Sequence, residues 1–176
     1  MKLPASIASI ALACLLAACN NTAQPEVASE EARVADTAVA QQEQKQDTTL
    51  QPVVELILRA TGDTPEDMAF DQDTLEVEKD AFIKLSLVNE GTGMTMIHNF
   101  VLVTGGKYKE AAITGENLGA TENYIPKSNY VVASTPLALP GQTVIQEFNA
   151  PPPGTYDFVC TYPEHWPRMH GKLIVK

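Results

Sequence analysis

Cysteine and histidine are scarce in this 176-residue chain, with three of each. Basic residues are also few: 12 Lys and Arg stand against 22 Asp and Glu, for a formal net charge of −10. A chain so short of positive charge lacks the basic face that a phosphate backbone requires, which excludes nucleic acid as a partner. The one pronounced apolar run, at the N-terminus, is too short to read as a committed membrane span.

That run follows Lys2 and ends in small residues, the pattern of an export signal. Leu16-Ala17-Ala18-Cys19 resembles a bacterial lipobox, which implies cleavage before Cys19 and a lipid on its sulfur. Residues 1–18 are therefore expected to be a lipoprotein signal peptide. Asn20 stands where an Asp would direct inner-membrane retention, so the outer membrane is favoured. Residues 19–51 are expected to be the lipidated Cys and a flexible tether. Between residues 20 and 51 there is no aromatic residue and no Leu before Leu50. Such a segment cannot bury enough apolar surface to offset its ordering entropy. As a coil its reach would be roughly 30 Å.

Processing of this kind would remove Lys2 and shift the formal charge from −10 to about −11. It would also remove Cys14 and block Cys19, leaving Cys160 as the lone free thiol. In an exported, oxidising compartment such a thiol has no internal disulfide partner. It is either buried and inert or bound to a metal.

Residues 52–176 have the size of one ordinary domain and the pattern of short strands separated by turn signals. Strands are predicted over 53–60, 75–78, 81–89, 98–103, 130–134, 143–148, 155–160 and 171–175. In the third of these Ile83, Leu85 and Leu87 share one side, with Lys84 and Ser86 on the other. Residues 107–118, ending before Gly119, are the one candidate for a helical flap. This spacing predicts an all-β fold, a Greek-key β-sandwich without a parallel sheet.

The last strand connection carries a thiolate, an imidazole and a thioether within ten residues, at Cys160, His165 and Met169. A second imidazole, His98, opens an earlier predicted strand. Singly, His98 reads as a satisfied core histidine, Cys160 as an inert buried thiol and Met169 as packing. Together, two His and one Cys with a weak Met are the donor set of a blue-copper site. Soft sulfur suits Cu(I), and imidazole suits both oxidation states. His170, next to Met169 in extended chain, should point away from such a metal.

The spacing Cys-x4-His-x3-Met, the pair His98-Asn99, and Cys160-Thr161-Tyr162-Pro163 resemble the cupredoxins, and among them azurin and the membrane-associated auracyanins. The resemblance spans the whole globular part and implies one copper ion cycling between Cu(I) and Cu(II). His98, Cys160 and His165 would form its trigonal plane and Met169 the long axial bond. A weak contact from the Ile97 carbonyl is the expected fifth interaction. Asn99 and Thr161 would tie the ligand loops together. Met96, Trp166 and Pro167 are expected to form an apolar docking patch around an exposed imidazole edge. The chain departs from the azurin pattern in having no disulfide, and in having Glu164 where Gly usually precedes the loop histidine. If that position needs φ > 0, Glu164 is strained.

The function this implies is one-electron shuttling in the bacterial envelope, by a monomer held to the membrane through lipid alone. Its partners would be cytochromes, oxidases or reductases, and it would not itself be an enzyme. The competing reading is copper storage or delivery, although the chain lacks the Met-rich or His-rich tracts usual in metal carriers. A structural zinc site is disfavoured by the Met ligand and the missing fourth nitrogen or thiolate donor.

Overall fold

The computed structural model describes residues 50–176. The leader, Cys19 and almost all of the tether lie outside the described residues. Nine strands and one helix follow in order: β1 (Val53–Thr61), β2 (Ala69–Phe70), β3 (Thr74–Val77), β4 (Phe82–Asn89), β5 (Val101–Thr104), α1 (Tyr108–Leu118), β6 (Val131–Ser134), β7 (Thr143–Asn149), β8 (Gly154–Val159) and β9 (His170–Val175). A short 3₁₀ turn, Ala120–Glu122, follows the helix.

The strands form two sheets, in the orders β2-β1-β4-β7 and β3-β9-β8-β5-β6. Their inner faces alternate as the sequence demands. On β4, Ile83, Leu85 and Leu87 are fully buried, while Lys84 and Ser86 between them are partly exposed. From the second sheet Phe100, Leu102, Phe158 and Leu173 meet them. Phe158 anchors this layer, stacking on Phe100 at 5.5 Å and meeting Phe70 edge-on at 5.6 Å. Each such side chain removed from water stabilises the fold by about 1.5–3 kcal/mol. Gly171 permits the close approach of β8 and β9 at this point. A Cβ there would lie 2.3 Å from the Phe158 ring and 2.5 Å from the Asp73 carbonyl.

The expectation of no parallel pairing is corrected. β1 runs parallel to β4, and β3 parallel to β9, so both sheets are mixed. Periodicity reports which face a side chain occupies, not which way the neighbouring strand runs. β1, read as a near-continuous apolar strand, in fact alternates: Val53 and Ile57 face outward, 64 % and 50 % exposed. The predicted strand from residue 98 begins only at Val101. Before it, His98 makes an isolated bridge to Ala138, and His98, Asn99 and Phe100 are all buried. Burial continues through Val101, Leu102 and Val103 of β5, whose outer face packs against the helix-side cluster, so this stretch shows no alternation.

Candidate metal centre

Cys160 lies one residue beyond β8, and its N–H donates to the Met169 carbonyl at 2.9 Å. The loop between them is wound by successive turns. The His165 N–H donates to the Tyr162 carbonyl at 3.2 Å, and the N–H groups of Arg168 and Met169 donate to the His165 carbonyl at 3.1 and 3.0 Å. This winding carries His165 back over the thiol. His98 arrives from the segment leading into β5, the neighbour of β8 in the same sheet, held by two bonds with Ala138 (N–H to O, 3.1 and 2.7 Å).

The Cys160 thiol and the two imidazoles converge. Cys160 Sγ lies 3.8 Å from His98 Nδ1 and 3.8 Å from His165 Nδ1, and the two Nδ1 atoms are 3.1 Å apart. Three donors each about 2.0–2.3 Å from a shared centre, at angles of about 100–120°, would be separated by roughly 3–4 Å. The cluster is therefore already sized for one metal ion. Met169 is fully buried in the same core cluster as Cys160. Of the four, only His165 has any exposure, 5 %. His98 Nε2 is buried without a hydrogen-bond partner, so this ring has no polar anchor other than what its Nδ1 faces.

Burial sets the protonation of the metal-free site. Desolvation, reinforced by the neighbouring His165, lowers the His98 pKa to about 3, and desolvation alone lowers that of His165 to about 4. Both imidazoles are neutral at pH 7, as metal ligation requires. Burial raises the Cys160 thiol to about 11, opposed by the N–H groups of Asn99 and Tyr162. The thiol holds its proton until a cation displaces it.

Around this cluster, Asn99 lies between the ligand-bearing segments. Its Oδ1 accepts the Thr161 N–H at 2.8 Å, and its Nδ2 donates to Thr161 Oγ1 at 2.9 Å and to the Asn123 carbonyl at 3.0 Å. The Thr161 hydroxyl donates to the Tyr124 carbonyl at 2.6 Å. Asn123 and Tyr124 both have positive φ (51° and 58°), and Gly115 of α1 makes room for them. A Cβ on Gly115 would lie 2.0 Å from the Tyr124 carbonyl oxygen. Helix and metal loop are thus joined through backbone. Ile97 is half-buried, and its N–H turns back to the Thr95 carbonyl at 2.9 Å.

The expected docking patch needs correction. Met96 is fully buried, since its backbone is pinned from two sides: its N–H donates to Gly93, and its carbonyl accepts from Asn89 Nδ2 at 2.7 Å. The exposed methionine of this loop is Met94. Trp166 is half-buried against the helix-side cluster of Val101, Val103, Ala111, Ala112 and Val159, with Lys109 Nζ 5.3 Å from its ring. Pro167 is exposed. His170 stacks on Tyr108 at 4.6 Å, its Nδ1 2.9 Å from the Trp166 carbonyl, outside the donor cluster.

Asn89 went unrecognised in the sequence. It is the next inward residue after Leu87, and a buried amide there serves the Met96 and Ala138 carbonyls and the Gly91 N–H. Both carbonyls flank His98. Asn89→Ala would leave these buried groups unpaired and is expected to cost about 3 kcal/mol of metal-free stability, read by denaturant unfolding. A loss below about 1 kcal/mol would show that Asn89 does not clamp the His98 segment.

Comparison with known proteins agrees with this geometry. Residues 58–176 match the family described as copper binding proteins, plastocyanin/azurin family. Over 118 residues the chain is 39% identical to auracyanin-A of Chloroflexus aurantiacus, spanning 65% of this chain and 71% of that one. It is 27% identical over 125 residues to azurin of Pseudomonas fluorescens biotype C, spanning 67% and 98% of the two chains. The solved structure of auracyanin A, described as a "blue" copper protein, superposes with a TM-score of 0.63 at 34% identity, over 70% of this chain and 99% of that one.

Proposed function

This chain belongs to the plastocyanin/azurin family of copper-binding proteins, and we propose that it shuttles single electrons between redox proteins of the bacterial envelope. The observation that carries the proposal is the buried Cys160–His98–His165 triangle, with sides of 3.8, 3.8 and 3.1 Å. Bound there, a copper ion supplies a one-electron couple between Cu(I) and Cu(II).

His98, Cys160 and His165 would hold it, with Met169 as a weaker ligand and the Ile97 carbonyl as a further weak contact. The residues around them limit rearrangement. Asn99 and Thr161 lock the Cys160 loop to the His98 segment, and the N–H groups of Asn99 and Tyr162 stabilise charge on the sulfur. A site that is equally well braced in both valence states transfers electrons with little reorganisation. The same bracing opposes ready release, which argues against a role in copper delivery.

Electrons would pass through His165, the only ligand with an exposed edge, with Pro167 and the free part of Trp166 beside it. Cytochromes, oxidases or reductases are the partners of suitable chemistry for a monomeric carrier that has no catalysis of its own. The test is to load the purified protein with copper and record its visible spectrum and voltammogram. An intense thiolate-to-copper band with reversible one-electron cycling is expected. Metal bound without that band would indicate copper handling or zinc instead.

A lipid on Cys19, with the outer membrane as its destination, fits the Leu16-Ala17-Ala18-Cys19 quartet and Asn20. Metabolic palmitate labelling should be lost in Cys19→Ser. Label retained in that variant would refute the anchor.

A further inference from the structure

Beside His165 lies a groove of about 290 Å³, walled by Pro65, Thr95, Tyr162 and Pro163, with Glu164 the only charged residue lining it. Glu164 is exposed and sits at φ 66°, a left-handed conformation that disfavours any residue with a Cβ. The turn bond from the His165 N–H to the Tyr162 carbonyl holds this backbone, but among the described residues no hydrogen bond or ion pair engages the Glu164 carboxylate itself. Strain retained at a functional edge points to use outside the molecule.

The turn carrying Pro65 adds three exposed acids, Asp63, Glu66 and Asp67. Asp63 accepts the Thr92 N–H and hydroxyl at 2.6 and 2.9 Å, and Asp67 those of Thr64 at 2.7 and 2.9 Å. These bonds lower both carboxyl pKa values, so the rim stays negative well into acid. Two bases stand near His165, Lys109 over Trp166 on the helix side and the exposed Arg168 further along the loop; neither lines the groove, which Met68 and Met96 also line.

We propose that this groove, with Glu164 as its specificity-determining residue, docks a redox partner that presents a lysine or arginine beside its electron-transfer edge. The assignment rests on the copper reading and names the chemistry of the partner. An acidic rim around an apolar channel to His165 favours the encounter of a basic protein and repels an acidic one.

The test follows reduction of the oxidised, copper-loaded full chain by two one-electron donors. One is reduced mitochondrial-type cytochrome c, a basic protein; the other is hexacyanoferrate(II), an anion. In each case one electron moves from donor to copper, and no bond or proton changes place. Glu164→Gln is expected to slow the cytochrome reaction several-fold, speed the hexacyanoferrate reaction and flatten the salt dependence of both. Glu78→Gln, the same charge change near the far end of β9, should alter neither appreciably. Glu164→Gly relieves the backbone and should reproduce the Gln kinetics once the rates are compared at each variant's measured reduction potential. The proposal is overturned if Glu164→Gln moves both donors in the same direction, if Glu78→Gln matches it, or if Glu164→Gly restores the wild-type rates. A wild-type protein with no reducible blue centre would instead refute the copper reading itself.

Discussion

Cys160→Ser is expected to abolish the visible charge-transfer band completely, while Met169→Leu should keep copper, keep the colour and raise the reduction potential. The two sulfurs are both buried in one cluster yet have different tasks. The Cys160 thiolate would be an anionic, soft donor, and its overlap with a bound copper would create the colour. A serine hydroxyl is hard and remains protonated, so it offers neither charge nor softness. The thioether is neutral and would donate only weakly. Leucine fills nearly the same space at little packing cost, and removing a weak donor favours the reduced ion. Absorption and voltammetry of the two loaded variants decide the matter. Loss of copper from both would mean that Met169 is a full ligand rather than a tuning one.

The second large effect is on pH. Between about pH 5 and pH 10 both imidazoles are already neutral and the Cys160 thiol still carries its proton, given values of about 3, about 4 and about 11. Uptake of one ion should therefore release about one proton, and apparent affinity should rise about tenfold per pH unit. Calorimetry in buffers of differing ionisation enthalpy counts that proton, and a count near zero would mean a thiolate already formed.

Stability of the metal-free protein responds separately. The folded imidazoles titrate below the usual 6.5, so the unfolded chain binds more protons below that value. Their stabilising contribution is complete above pH 6.5 and is lost as pH falls towards 3. The slope from two histidines approaches about 2.7 kcal/mol per pH unit. For Cys160, raised from 9.0 to about 11, the contribution is complete below pH 9 and lost as pH rises through 11. Melting curves of the metal-free protein should fall at both ends of the range. A flat profile between pH 4 and 6.5 would show that the histidines are hydrated.

The donor set was legible in the sequence because its chemistry is carried by residue type and order. Cys160, His165 and Met169 share one connection, and among the described residues no other thiol competes. Strand positions were legible for the same reason wherever one face is buried, as in the Ile83, Leu85, Leu87 series. Direction was not legible. The parallel pairing of β1 with β4 depends on where intervening β3 goes, and β3 joins the other sheet. Met96 misled because proximity to His98 in sequence suggests a shared surface, whereas the glycine-rich turn before it folds the side chain inward. Asn89 was visible in principle as a polar residue in an inward register. The Asn123–Tyr124 turn was not, since its partners are backbone carbonyls and the hollow at Gly115, which no residue-type pattern records.

Three of the four metal donors sit on one continuous loop, and only His98 comes from elsewhere. A chain that has lost its fold still carries that trio in close succession, and so keeps a partial hold on the ion. Affinity of the denatured ensemble subtracts from the protection that native-state binding would confer. Thermal resistance of the loaded protein will consequently understate how tightly the finished site binds. On refolding, the ion can already be aboard, with only the His98 arm left to close over it.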